Sequence, residues 1–238
     1  MAVEALRDNH VMAQDPSRLS ARPQTRPQGG LSAGLRPLGL SPRRDGLLYV
    51  PAGYRADRPA PLAVLLHGAG GNAHHAIALL KDLADEAGLL LLAPDSRHAT
   101  WDILADDAYG PDVAFLDRAL GQLFRDAAVD AAKVAIGGFS DGASYALSLG
   151  LTNGDLFTHV IAFSPGFMAP AEQRGRPRIF VSHGTQDKVL RIDPCSRRLA
   201  PLIRRAGHDL RYREFEGPHT VPPEMARDAL DWFLRGAG

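Results

Sequence analysis

The chain carries a single cysteine, Cys195, among 238 residues. No intramolecular disulfide can form, so a reducing compartment is the default expectation. Cys195 itself, beside Pro194, reads as a small packing residue. Net charge is lacking too: 27 Lys and Arg balance 27 Asp and Glu. That balance leaves no electrostatic footprint for nucleic acid or an anionic membrane. Long apolar runs are also missing. Stretches such as 89–93 fall far short of the roughly 20 residues needed to cross a bilayer. The first thirty residues hold no continuous apolar core, being interrupted by Arg7, Asp8, Asp15 and Arg18, and do not read as a secretory signal. The Arg43–Arg44 pair lies late for a twin-arginine signal and is followed by Asp45 and a strand-like segment. The expected setting is cytoplasmic, with no nucleic-acid or membrane partner; a homo-oligomer is left open.

What is present fits one soluble domain, 45% hydrophobic and 23% charged. A chain of this size buries roughly 70% of the surface its unfolded form exposes, so it needs no disulfide or metal staple. Residues 1–44 stand apart, with Pro16, Pro23, Pro27, Pro37, Pro42, a Gly29–Gly30 pair and several arginines but sparse apolar periodicity. They read as an N-terminal arm, extended or lying against the surface of a catalytic domain over 45–238.

From Asp45 onward, short apolar runs alternate with helix-length amphipathic stretches. Strands are expected at 46–50, 62–67, 89–93, 133–137, 159–163, 178–182 and 210–215. Most are near-continuously apolar, as in parallel strands covered on both faces. Helical patterns fall at 73–87, 111–127, 142–151, 196–206 and 224–235. In 111–127, Val113, Leu116, Leu120, Leu123 and Phe124 recur at helical spacing, with Asp117, Arg118 and Arg125 on other faces. The alternation predicts an α/β fold, a doubly wound and mostly parallel sheet of about seven strands. The 164–178 connection is too short for a cap domain, so an open cleft is expected.

The chemistry-bearing motif is Gly138-Phe139-Ser140-Asp141-Gly142, after the run Lys133–Gly137 and before Ala143-Ser-Tyr-Ala-Leu147. In a chain with 24 glycines the string alone is weak; between a strand and a helix it marks a nucleophile on a sharp turn. Glycines two residues either side let strand and helix approach where a Cβ would collide. A serine hydroxyl needs a base to take its proton. Of the histidines after Ser140, His159 begins a strand, His183 ends one and His208 sits in a helix-to-strand turn. His219 lies in the Gly/Pro-rich loop Glu216-Gly-Pro-His-Thr-Val-Pro-Pro223 after the last strand, placed to swing an imidazole to the serine.

For the acid, Asp187 follows the strand at 178–182 and would hold the histidine tautomer. Its rival Asp193 precedes Pro194 and reads as a helix N-cap, and Asp155 comes before its strand rather than after it. Oxyanion donors are expected from the Asp141 amide and from His67-Gly-Ala-Gly-Gly-Asn72, with Ala69 first and Gly70 second. This loop lacks the Gly-Lys-Ser/Thr and Gly-x-Gly-x-x-Gly patterns of phosphate cradles. His67 reads as a residue shaping it. His74 and His75 lack a carboxylate cluster, so no metal is expected.

These segments together resemble the phospholipase/carboxylesterase family of α/β-hydrolases, to which acyl-protein thioesterases and polyhydroxyalkanoate-depolymerase-like esterases are related. The resemblance rests on His67-Gly-Ala-Gly-Gly-Asn72, Gly138-Phe-Ser-Asp-Gly142, Gly184-Thr-Gln-Asp187 and Gly217-Pro-His219, in the family's order, and spans about 45–235. It implies an α/β-hydrolase fold and hydrolysis of carboxylic esters or thioesters through an acyl-enzyme, with no cofactor. Taken together with the residues, the chain reads as a small, capless serine carboxylesterase acting on a small-molecule ester of short to medium chain length. Asp141 stands where thioesterase-like members often carry glutamine. The resemblance further implies that Asp95-Ser-Arg-His-Ala-Thr-Trp101 borders the cleft, with Trp101, Phe167 and Met168 forming a substrate pocket; the alternative for Trp101 is packing under a loop. The rival functions are a thioesterase or polyester depolymerase on longer acyl chains, and a non-catalytic binding protein of the same fold.

Overall fold

The computed structural model describes residues 15–24 and 28–235. Eight strands form one sheet: β1 (Gly34–Pro37), β2 (Gly46–Val50), β3 (Ala60–Leu66), β4 (Leu90–Pro94), β5 (Val129–Phe139), β6 (His159–Phe163), β7 (Arg178–Gly184) and β8 (Leu210–Phe215). Their order is β1-β2-β4-β3-β5-β6-β7-β8. β1 and β2 run antiparallel to their neighbours, and all later pairs are parallel. The helices are α1 (Ala73–Ile77), α2 (Lys81–Ala87), α3 (Asp102–Ala105), α4 (Pro111–Asp126), α5 (Asp141–Thr152), α6 (Ser196–Arg205) and α7 (Pro223–Leu234).

Side-chain alternation along the strands separates two cores. Leu62, Val64, Leu66, Val134, Ile136 and Val160 face α4, α5 and α6, whereas Ala63, Leu65, Ala135, Ile161 and Phe180 face α1, α2 and α7. Both layers are apolar, which is why the central strands read as unbroken hydrophobic runs. At the edge, β8 alternates between half-buried and exposed positions because one face meets water. The predicted 73–87 helix is instead two: the chain tightens at Leu79 and Leu80, whose amides bond back three residues to Ala76 and Ile77. The turn lets Ile77, Leu80 and Ala84 all bury in the same layer. Between 164 and 177 no described residue is helical, and a lone backbone pairing joins Gly154 to Gly175. Among the described residues, no helix is long and apolar enough to cross a membrane.

The composition break near residue 45 is not a break in packing. Residues 1–14 and 25–27 of the expected arm lie outside the described residues, but its other parts join the domain. β1 supplies an eighth, edge strand where about seven were expected. Leu19 is 1% exposed among side chains of the α4–α5 layer. Its amide donates to Asn153 Oδ1 at 2.9 Å, Asn153 Nδ2 donates to Ser17 O at 2.9 Å, and Arg18 pairs with Asp155 at 2.8 Å. Two amides, of Ser20 and Ala21, bond Asp117 on α4. Sparse periodicity hid this anchor because one buried leucine and its hydrogen bonds leave no periodic signal.

Two stability predictions follow from these contacts. Leu19→Ala is expected to cost about 2–4 kcal/mol, read from the urea midpoint, whereas a segment merely resting on the surface would change stability by less than about 0.5 kcal/mol. The second concerns His159, whose buried Nε2 has no partner among the described residues and whose ring meets Trp232 and Phe233 edge-on. Burial, reinforced by Arg178, pulls its pKa from 6.5 down to about 4. Because the unfolded chain takes up this proton first, the stability it contributes is full above about pH 6.5 and fades as pH falls toward 4, by up to about 3 kcal/mol. His159→Asn should remove that part of the acid sensitivity in unfolding titrations at pH 7 and pH 4.5.

Candidate active site

Ser140 stands at the tip of β5, where the chain turns into α5. Its φ of 58° and ψ of −120° lie in a region non-glycine residues rarely adopt. The turn is that sharp because strand and helix nearly touch: a Cβ on Gly142 would come within 2.3 Å of Leu66 O, and one on Gly138 within 2.6 Å of the same oxygen. Backbone bonds hold the residue there. The Ser140 amide donates to Phe163 O at 2.9 Å, and its carbonyl accepts from the amides of Ala143 and Ser144, each at 3.0 Å.

His219 reaches the serine from the loop between β8 and α7, with Nε2 3.0 Å from Ser140 Oγ. Its Nδ1 lies 2.5 Å from Asp187 Oδ2. With a carboxylate as acceptor, Nδ1 carries the proton and Nε2 faces the hydroxyl with its lone pair. The two loops meet because β7 ends on Gly184, where a Cβ would strike Gly217 O at 2.4 Å. The Thr185 and Gln186 amides lace the loops together through Phe215 O and Gly217 O. Asp187 Oδ1 accepts the Val189 and Leu190 amides at 2.8 Å each. Burial alone would raise its pKa, but His219 and these two amides outweigh burial and hold the carboxyl below its ordinary range.

Behind Asp187 sits a residue that the sequence had offered only as a rejected base. His183 is fully buried; its Nδ1 lies 2.7 Å from Ser196 Oγ, and its Nε2 lies 2.7 Å from Leu190 O and 3.2 Å from Asp187 Oδ2. With Nε2 as donor, His183 supports the same carboxylate oxygen that His219 bonds. Burial lowers its pKa, which keeps it neutral. Its position at the end of β7, four residues before Asp187, was the available signal.

The loop after β3 is braced from below. His67 Nδ1 donates to Gly68 O at 2.8 Å while Nε2 accepts the Ser96 amide at 3.0 Å. The Gly70 amide is engaged by Ala99 O at 2.7 Å, which removes Gly70 from the expected oxyanion donors. The Ala69 and Asp141 amides bond no described residue. The Asp141 carboxylate is turned aside by Thr100, whose hydroxyl donates to Oδ2 at 2.6 Å.

Trp101 does not line a pocket. It is 1% exposed, donates to His67 O at 2.9 Å and stacks on Tyr145 with ring centroids 5.1 Å apart. The alternative of packing under a loop is the one realised, because an indole buried on both faces with its N–H bonded has no surface left for a ligand. Phe167 does border a hollow, of about 490 Å³, with Ile103, Leu104 and Tyr109. Met168, by contrast, packs against the core. A second hollow, a groove of about 710 Å³, opens between α1–α2 and α7 and is walled by His219 and Phe139.

Sequence reasoning also passed over the reciprocal pair Asp102–Asp112. Asp112 accepts the Arg97 and Asp102 amides, and Asp102 accepts those of Gly110 and Asp112 together with the Tyr145 hydroxyl. Burial, with Asp102 close by, pushes Asp112 up to about 6. The pair fixes the loop that carries Thr100 and Trp101.

A parallel sheet with antiparallel strands at one edge, helices on both faces and a serine on a strained strand-to-helix turn define the α/β-hydrolase class. Solved structures agree: esterase PE8 superposes with a TM-score of 0.63 at 24% identity, covering 85% of this chain and 97% of that one. The serine hydrolase FphF of Staphylococcus aureus gives 0.68 at 14%, covering 87% and 100%. The model of the Phospholipase/Carboxylesterase family matches residues 114–234, and the chain belongs to that family. A probable feruloyl esterase C from Aspergillus flavus is 28% identical over 158 residues, which make up 63% of this chain and 57% of that relative. Feruloyl esterase C from Emericella nidulans is 27% identical over the same length. The chain thus spans just over half the length of these curated relatives.

The contact between His219 and Asp187 can be checked without any substrate. A strongly downfield imidazole N–H resonance is expected in the proton spectrum and should vanish in Asp187→Ala. Its presence in that variant would mean that Nδ1 bonds elsewhere.

Proposed function

We propose that the chain is a serine carboxylesterase that hydrolyses short- to medium-chain esters through an acyl-enzyme. The observation that carries this is the continuous chain of contacts from Ser140 Oγ through His219 to Asp187, 3.0 Å and 2.5 Å long. His219 Nε2 takes the serine proton as Oγ attacks the ester carbonyl carbon. The carbonyl oxygen becomes an anion between the Ala69 and Asp141 amides, each such donor being worth about 3 kcal/mol. Imidazolium His219, stabilised by Asp187, then protonates the departing alcohol. Water activated by the same nitrogen attacks the acyl carbon and restores Ser140.

No step calls on a metal or a cofactor, since the proton transfers and the anion are both served by side chains and amides. The aromatic hollow bordered by Phe167 and Tyr109 favours including an aromatic acyl group among the test substrates, and the names of the curated relatives suggest a feruloyl ester. A reducing, cytoplasmic setting is supported by the single buried cysteine.

Ser140→Ala is expected to abolish turnover of p-nitrophenyl acetate and butyrate and covalent labelling by a fluorophosphonate, with an unchanged circular dichroism spectrum. Residual activity close to that of the native protein would remove Ser140 from the mechanism.

A further inference from the structure

Three hydroxyls recur every four residues along α5, on Ser144, Ser148 and Thr152, and so share one face of the helix. All three are buried. Each bonds back to the carbonyl four residues earlier: Ser144 Oγ to Ser140 O at 3.2 Å, Ser148 Oγ to Ser144 O at 2.7 Å and Thr152 Oγ1 to Ser148 O at 2.9 Å. Such back-bonding does not strengthen a helix, and alanine is the better helix former. It does leave the hydroxyl oxygen with lone pairs to accept elsewhere. Every one of them accepts an amide from the same loop: Gly166 on Ser144 at 2.9 Å, Ala169 on Ser148 at 2.9 Å and Ala171 on Thr152 at 3.2 Å.

Little else on the backbone holds that loop. Its ends are pinned by the Ser164 amide on Ser182 O at 2.8 Å and the Arg174 amide on Leu151 O at 3.0 Å. Between them, 165–173 makes no backbone–backbone hydrogen bond to any described residue. The loop also supplies Phe167 and Ala169 to the hollow of about 490 Å³, opposite Ile103, Leu104 and Tyr109. A fourth hydroxyl ties the two walls together, since Tyr109 donates to Ala169 O at 2.9 Å. The top of the ladder belongs to the serine turn itself, because the Ser144 hydroxyl touches both the Gly166 amide and the Ser140 carbonyl.

Resting on ester hydrolysis at Ser140, we propose that Ser148 and Thr152 are positioning residues for substrate selection: with Ser144 they latch the 166–171 segment to α5 and so fix the Phe167–Ala169 wall of the hollow. The helix that begins at Ser140 thereby sets the place of that wall as well. A substrate group that enters the hollow meets a surface held in register with the serine. Release of the latches lets the wall drift, which weakens binding of that group in ground state and transition state alike and raises KM rather than lowering kcat.

The experiment pairs amide hydrogen exchange with kinetics. Ser148→Ala combined with Thr152→Val should speed exchange at Ala169 and Ala171 by about tenfold or more, the effect of one lost hydrogen bond, while β6 stays protected. Kinetics compare methyl acetate with two isomeric aromatic esters, methyl 3-phenylpropionate and 2-phenylethyl acetate. Native enzyme should prefer one of the isomers to methyl acetate in kcat/KM, and the double variant should lose about tenfold of that preference, through KM. Thr152→Ser, which keeps the hydroxyl, should retain the preference. Tyr109→Phe, which leaves α5 untouched, should lower it about threefold. An equal rise of exchange in β6 makes the hydroxyls supports of the whole fold and overturns the latch. A native enzyme that prefers neither isomer, or a double variant with an unchanged preference, overturns the role in selection. Native protein that neither turns over esters nor takes a fluorophosphonate label overturns ester hydrolysis and the selection role with it, while exchange at Ala169 and Ala171 still reads the latch.

Discussion

One strained residue sets the geometry of the site. A φ of 58° at Ser140 costs on the order of 1–3 kcal/mol and persists only where the surroundings over-determine it. Here they do: Gly138 and Gly142 allow α5 to press on β5 closer than any Cβ permits, and the residue's amide and carbonyl are both bonded. The strain aims Oγ out of the carboxyl edge of the parallel strands. It also leaves the Asp141 amide as the first unbonded donor of a twelve-residue helix, where the peptide dipoles favour negative charge. The proposed nucleophile and the proposed oxyanion donor are thus products of the same turn.

The remaining contacts decide which donors stay available. Around the serine, the amides of Gly70, Gly71, Ser140, Ala143 and Ser144 all have backbone acceptors. Ala69 is left because Gly70 and Gly71 on its far side are tied to Ala99 O and Gly68 O. His67 and Trp101 brace that loop from beneath, so a residue expected to touch substrate acts one layer further in. Asp187 is treated similarly. His219, His183 and two amides surround its oxygens, and a carboxylate so bonded stays ionised although buried.

What was legible in the sequence follows from the kind of signal each feature leaves. The central strands were legible because burial on both faces writes an apolar run, and Ser140, Asp187 and His219 because each sits just past a strand in a Gly-rich turn. β1 was hidden: with its four residues alternating half-buried and exposed, it has no run. Leu19 is a single buried side chain in a Pro/Arg-rich stretch. The Asp102–Asp112 pair and His183 were unreadable for another reason. Their partners are backbone amides and side chains brought close by folding, and a hydrogen bond leaves no periodicity. Trp101 was ambiguous because a cleft wall and a loop underside both call for an aromatic.

The carboxylate at Asp141 is the feature that most needs a physical account, since it directly follows the proposed nucleophile and its amide is a proposed oxyanion donor. An ionised side chain at that point would oppose a second negative charge by simple Coulomb repulsion, and more strongly as water leaves the cleft. Thr100 answers this by donating its hydroxyl to Oδ2 at 2.6 Å, which fixes the carboxylate on the loop side and leaves the amide to serve alone. The hydroxyl can do so only while the 95–112 loop is rigid, and that rigidity comes from Asp102 and Asp112 gathering six donors between them. Two buried acids distant from Ser140 therefore keep a third acid, Asp141, turned away from the proposed oxyanion site.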